Sequence, residues 1–328
     1  MKKVLINKPI HEDAISLLKQ EVEVLTPFQA SADEIAQMLP DIEGMILCAG
    51  MKMQAAEIGL AKNMEVIGRH GAGLDIVDVH EATQRRIPVV FTPLGPTEST
   101  AEHAFLLMMA AARKLSYLDR ETRKGNFHVR DQVVGFELDG AKVGVVGFGH
   151  IGKRFAEMCR DALHMQVFVF DPFLSREKVE AWGAIYQESV LAMAKEVDII
   201  SLHVPATAET NHLINAEVLE ALGSDGFLVN ASRGPVVDEK ALIAALQNNV
   251  IAGAAVDVFD PEPPKPDNPL FQLDNIVLTP HLASFTDQGR RRMGMMVAED
   301  VLRVLRGEKP LYPANPEVLN EHESIRRN

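Results

Sequence analysis

Short apolar runs alternate with amphipathic segments along almost the whole chain, the pattern of parallel strands joined by crossover helices. The first array of such runs predicts strands at Lys3–Asn7, Glu21–Leu25, Gly44–Leu47, Glu65–Gly68 and Val89–Phe91, with helices such as Ala32–Leu39 and Ile76–Thr83 between them. A long helix over Ser99–Leu115 follows, and its Ala-, Leu- and Met-rich composition predicts burial on several sides. The second array predicts strands at Val143–Val146, Val167–Phe170, Ile199–His203, Phe227–Asn230, Ala254–Val256 and Ile276–Leu278. Beyond it, Met293, Val297, Val301 and Leu305 recur at four-residue steps, which predicts a helix over Asp287–Arg306 that returns to the first array. The expected fold class is α/β with two doubly wound parallel-sheet domains. Residues 99–286 form the inserted domain, residues 1–98 and 287–328 the outer one, and a ligand is expected in the cleft between them.

At 328 residues and 47% hydrophobic composition the chain can bury a full core and is long enough for two domains. A formal charge of −13 without a basic stripe argues against nucleic acid or an anionic membrane as the main partner. No apolar run approaches the roughly 18 residues of a membrane span, and the N-terminal run is too short for a signal peptide. Cys48 and Cys159 lack paired spacing, so neither a disulfide framework nor a metal site is expected, and a reducing cytoplasm suits them.

The stretch Lys142-Val-Gly-Val-Val-Gly147-Phe148-Gly149-His150-Ile151-Gly152 carries the first chemistry. A β-rich run breaks into Gly-x-Gly-x-x-Gly and then a helical pattern, and Asp171 follows Gly152 by 19 residues at the end of the next strand. That is the layout of a Rossmann dinucleotide site. The first glycine permits a sharp turn, the second leaves room for a pyrophosphate, the third lets the helix pack on the sheet, and the helix N-terminus attracts phosphate. An acid at the strand tip accepts ribose hydroxyls and repels a 2′-phosphate, favouring NAD over NADP; Arg176 is the nearby cation that bears on this choice.

Three later segments end strands of the same array: Asn230-Ala231-Ser232-Arg233-Gly-Pro-Val-Val-Asp238, Asp257-Val-Phe-Asp-Pro-Glu262-Pro and Leu278-Thr-Pro-His281. Strand C-termini of a parallel sheet converge on one crevice, so Arg233, Glu262 and His281 are expected to face one substrate. An arginine grips a carboxylate with two charge-assisted hydrogen bonds. A histidine, with an unperturbed pKa of about 6.5, gives or takes a proton near neutrality, and a hydrogen-bonded glutamate orients its ring. The set suits hydride exchange at a carbon beside a carboxylate, with the nicotinamide supplying the hydride.

Together these four motifs, in this order, resemble the D-isomer-specific 2-hydroxyacid dehydrogenases, a family that includes phosphoglycerate dehydrogenases and glyoxylate/hydroxypyruvate reductases. The resemblance runs from about Ile67 to Arg306. It implies a Rossmann cofactor domain inserted into a flavodoxin-like substrate domain, and an NAD-linked homodimer with much of Ser99–Leu115 at the subunit interface. It implies Arg233 as substrate clamp, His281 as general acid/base and Glu262 as its partner. It further implies that Arg69-His-Gly71-Ala72-Gly73-Leu-Asp75 presents backbone N–H groups to the substrate carboxylate. His203-Val204-Pro205-Ala-Thr207, Thr97, Ala231, Ser232 and Asp257 are implied to line the cofactor.

Where phosphoglycerate dehydrogenases commonly offer an arginine for phosphate, this chain reads Cys48-Ala-Gly-Met51-Lys52-Met, leaving Lys52 as the only nearby cation. A non-phosphorylated acid is therefore favoured. The sequence ends soon after the Asp287–Arg306 segment, without room for the regulatory domain of longer relatives. Phe285 is a further candidate for shaping the pocket. The expected activity is an NAD-dependent oxidoreductase acting on a small 2-keto or D-2-hydroxy acid in the cytoplasm. The alternative is an NAD(H)-sensing binding protein similar to the corepressors that keep the same three residues. Formate dehydrogenases carry glutamine where Glu262 stands, which separates this chain from them.

Overall fold

A computed structural model describes residues 1–319. Two compact units divide the chain: Met1–Thr97 with the segment from Phe285 onward, and Glu98–Ser284.

The first unit is built on β1 (Lys3–Ile6), β2 (Glu23–Leu25), β3 (Gly44–Leu47), β4 (Val66–Arg69) and β5 (Val89–Phe91), paired in parallel in the order β2-β1-β3-β4-β5. This is the flavodoxin-like order. Alternation along β1 explains the two apolar layers. Val4 and Ile6 join Val297 and Val301 on one face, while Leu5 joins Ile35, Leu39 and Ile58 on the other. The Asp287–Arg306 helix starts where the Thr286 hydroxyl accepts the Gly289 N–H, and ends at a left-handed Gly307. Its four-residue stripe is buried at Met293, Val297 and Val301. Gly68 of β4 allows the close approach, since a Cβ there would lie 2.7 Å from both Val297 and Val301. The helix expected from Ile76 begins instead at Val79. Met53 N–H donates to Ile76 O and Asp78 N–H to Met53 O, both at 2.8 Å, holding Ile76–Val77 extended until Asp78 caps the helix.

The second unit carries β6 (Lys142–Val146), β7 (Gln166–Phe170), β8 (Ile185–Tyr186), β9 (Ile199–Leu202), β10 (Phe227–Asn230), β11 (Gly253–Val256) and β12 (Ile276–Leu278). All are parallel, in the order β12-β11-β10-β9-β6-β7-β8. Winding reverses between β6 and β9, the switch point at which such sheets open a crevice. The two-residue β8 is absent from the sequence expectation because it is too short to show an alternation.

The helix expected over Ser99–Leu115 runs Thr97–Ala112, and a second helix that the sequence reading did not include, Leu115–Arg123, begins after a left-handed Lys114 at φ 51°. The apolar pattern changes there, and the Ala112 carbonyl accepts the Phe136 N–H at 2.8 Å instead of continuing the helix. The first helix buries Ala101, Ala104, Leu107, Met108 and Ala111, yet Leu106 is 55% and Met109 40% exposed. Among the described residues, no helix is long and apolar enough to cross a membrane.

Candidate active site

At the switch point, Gly147 turns out of β6 at φ +88°, and a Cβ on it would stand 2.7 Å from the His203 carbonyl oxygen. A Cβ on Gly152 would be 2.0 Å from the Gly147 carbonyl oxygen, so the helix His150–Leu163 can enter only with glycine there. Gly149, by contrast, faces open space, and no side chain caps the helix at this N-terminus. An open backbone concavity with uncapped N–H groups fits a pyrophosphate.

Asp171, just beyond β7, turns towards this loop. Its Oδ2 accepts the Phe148 N–H at 2.8 Å and its Oδ1 the Phe173 N–H at 2.9 Å, leaving further lone pairs on both oxygens for ribose hydroxyls. Arg176 is held by Glu188 at 3.3 Å and Glu180 at 3.6 Å, and stacks on Tyr186. The chain's single tryptophan, Trp182, meets Phe148 edge-on at 5.0 Å between centroids.

His203, at the mouth of β9, bonds Ser201 Oγ at 2.9 Å and packs on Phe155, and burial pushes its pKa down to about 3. Its ring is therefore neutral. A Cβ on Gly147 would also stand 2.7 Å from the Val204 side chain, and Pro205 to Thr207 form a turn closed by Thr210, whose hydroxyl donates to Pro205 O at 2.6 Å and accepts the Thr207 N–H at 2.8 Å. Thr97, which ends the N-terminal segment of the first unit, has a buried hydroxyl without a hydrogen-bond partner among the described residues.

Beyond β10, Asn230 shapes the arginine turn. Its Oδ1 accepts both the N–H and hydroxyl of Ser232, and its Nδ2 donates to Arg233 O at 2.9 Å. Arg233 Nη1 donates to Ser232 O at 2.8 Å. Gly234 lies so close to Phe259 that a Cβ would overlap its carbonyl oxygen at 1.8 Å, which ties the arginine turn to the loop after β11. Ala231 is buried beside it.

That loop leads from Asp257 to Glu262, whose Oε1 is 2.5 Å from His281 Nδ1. Glu262 and His281 are 39% and 47% exposed, so the pair is reachable from solvent. Asp257 is fully buried and grips the histidine loop. Its carbonyl accepts the His281 N–H at 2.7 Å, Oδ1 the Leu282 N–H at 3.0 Å, and Oδ2 the Ala283 N–H at 2.9 Å. Burial alone would raise the Asp257 pKa, but the nearby His103 and hydrogen bonds from Thr279, Leu282 and Ala283 carry it below the usual carboxylate range. His281 itself is left-handed, at φ 51°. Sequence reasoning missed His103: one histidine within an apolar helix gives no signal until the fold brings it to Thr279.

The candidates Met51, Lys52, Ala72 and Gly73 belong to the first unit. Met51 is buried in its core with Leu47 and Met53, so its side chain is committed to packing, whereas Lys52 is exposed. Arg69 folds onto its own loop, donating from Nε to Gly73 O at 2.9 Å and from Nη1 to His70 O. Lys52 is not the only cation near Cys48: Lys8, Arg69 and Arg290 act on it electrostatically, although burial dominates and raises the thiol to about 11. These side chains come from three distant segments that converge only in the fold. His70 beside them is pushed down to about 4, by burial first and then by the charge of Arg69.

Residues 105–283 match the family model described as D-isomer specific 2-hydroxyacid dehydrogenase, NAD binding domain. The chain belongs to this family. A D-3-phosphoglycerate dehydrogenase of Archaeoglobus fulgidus is 42% identical over 308 residues, 93% of this chain and 58% of that protein. The chain thus spans 58% of the length of that relative, and 58% of a second D-3-phosphoglycerate dehydrogenase, from Methanocaldococcus jannaschii. A glyoxylate reductase of Korarchaeum cryptofilum is 36% identical, with 97% of each chain covered. The solved NADPH-dependent glyoxylate/hydroxypyruvate reductase of Sinorhizobium meliloti, in complex with NADP and malonate, superposes with a TM-score of 0.84 at 32% identity over 95% of this chain and 96% of that one. The family cofactor is a nicotinamide dinucleotide, and the open Gly149 surface, the uncapped helix and Asp171 are the residues of this chain that would hold it.

Proposed function

We propose that the protein is an NAD-dependent oxidoreductase interconverting a small 2-keto acid and a D-2-hydroxy acid. The observation that carries the reading is the His281–Glu262 pair, joined at 2.5 Å and held on the same sheet as the dinucleotide loop. When bound, the nicotinamide supplies or receives the hydride. Arg233 takes the substrate carboxylate through two parallel N–H groups and draws electron density from the neighbouring carbonyl. In reduction His281 donates the Nε2 proton to the carbonyl oxygen while Glu262, at Nδ1, fixes the ring and stabilises its protonated form; in oxidation it accepts that proton back. D stereochemistry is inherited from the family.

NAD over NADP is supported by Asp171 at the β7 tip and by the acidic partners already holding Arg176. For a homodimer, the exposed apolar side chains Leu106, Met109, Leu115, Phe127 and Val134, all within residues 106–134, are the candidate contact residues. Lys8, Arg69 and Arg290 near Cys48 keep phosphorylated keto acids among the substrates to be tried.

The test is NADH oxidation against glyoxylate, hydroxypyruvate, pyruvate, branched keto acids and phosphohydroxypyruvate, with NADPH in parallel. One acid is expected to turn over efficiently, and His281→Asn is expected to abolish that turnover while NADH still quenches Trp182 fluorescence. Retained turnover in the variant would remove the acid/base assignment.

A further inference from the structure

His103 Nε2 lies 3.1 Å from Thr279 Oγ1 and 3.5 Å from Asp257 Oδ1, and its side chain is 11% exposed. Proton accounting fixes the direction of this contact. Thr279 Oγ1 is 2.6 Å from Asp257 Oδ1, and the ionised carboxylate can only accept, so the hydroxyl proton is used there. The remaining acceptor capacity of Oγ1 faces His103, which therefore presents Nε2–H. The result is a one-way chain from His103 through Thr279 to Asp257, whose carboxylate and carbonyl then hold the three consecutive N–H groups of His281, Leu282 and Ala283.

We propose that His103 is a positioning residue for the reaction: through Thr279 and Asp257 it keeps the backbone of residues 281–283 clamped, and so directs the His281 ring at Glu262. The need for a clamp is local. His281 is left-handed, a conformation that disfavours a side-chain-bearing residue, and it persists only where surrounding contacts over-determine it. The helix carrying His103 supplies the one clamp member from outside the β11 and β12 loops. The inference rests on the acid/base assignment of His281 made above.

Two substitutions test it. His103→Leu keeps bulk but removes the donor, and His103→Gln returns an N–H near the position of Nε2. His103→Leu is expected to lower kcat by about tenfold or more while leaving NADH affinity, read from Trp182 fluorescence, unchanged; His103→Gln is expected to recover most of the loss. Hydrogen exchange read by mass spectrometry over residues 279–285 gives a second measure that needs no substrate. It should quicken in His103→Leu, with the β6 and β9 core unaffected, and return towards wild type in His103→Gln. Wild-type kcat and wild-type exchange in His103→Leu, or equal losses in both variants, would overturn the proposal. If His281→Asn keeps full turnover, the acid/base reading fails; if His281→Asn is dead while His103→Leu is normal, only the clamp fails.

Discussion

The two carboxylate oxygens of Asp257 accept hydrogen bonds from Thr279, Leu282 and Ala283, and His103 Nε2 stands 3.5 Å from Oδ1. An amide in its place offers one acceptor oxygen and turns an N–H₂ group on a backbone N–H. Asp257→Asn is therefore expected to destabilise the chain by about 1–3 kcal/mol, the cost of unsatisfied buried polar groups, seen as a lower urea midpoint at constant m-value. Arg233 makes a second residue-scale case. Its turn is built by Asn230, and a lysine at its end keeps the charge but not the two-pronged geometry. Arg233→Lys should lower kcat/KM by about 100-fold or more, chiefly through KM, in steady-state assays with the preferred acid. Neither residue's surroundings are readable locally. Arg233 and Glu262 are conspicuous by type and motif, but the donors around Asp257 come from residues up to 154 positions away, since His103 joins residues 257 and 279–283.

The glycine loop between β6 and its helix is an element whose geometry was legible, because each glycine answers a steric demand of the turn itself. Gly152→Ala places a methyl 2.0 Å from Gly147 O, backbone that cannot swing aside. The helix must retreat, and overpacking of this kind costs about 1–3 kcal/mol. The expected outcome is a rise in the NADH dissociation constant in a Trp182 titration, accompanied by a fall in urea stability. Helix limits were less legible. Periodicity placed the Thr97–Ala112 helix to within three residues at each end but did not bring out Leu115–Arg123, which starts after a left-handed Lys114. Nor could it move the start of the Val79–Gln84 helix past the bridge between Met53 and Val77.

At the scale of the molecule, each unit holds a histidine that stays neutral when folded: His70, with a pKa lowered to about 4, and His203, lowered to about 3. Unfolded, both titrate near 6.5. Between the folded and unfolded values the unfolded chain binds more protons, so stability rises with pH there and is lost on acidification. Lowering pH from 6.5 to 5 should remove up to about 2 kcal/mol per histidine, at 1.36 kcal/mol per unit. Urea unfolding at pH 7 and pH 5 measures this, and His203→Gln should flatten the dependence by its own share. A pH-independent midpoint in the wild type would show that neither ring is held neutral by the fold.

Alternation of apolar and polar positions determined that this chain makes two parallel-sheet units, because strand and helix periods are local properties that burial on both sheet faces enforces. Motif spacing likewise brought out the glycine loop, Asp171, Arg233, Glu262 and His281, each standing directly after a strand whose end must reach the same edge. Tertiary structure alone decided what surrounds them. The contact of Gly234 with Phe259, the burial of Met51, the gathering of Lys8, Arg69 and Arg290 around Cys48, and the line from His103 to Asp257 all join segments far apart in sequence. Such contacts depend on strand order and on which side chains meet when layers close, and no local pattern along the chain encodes that meeting.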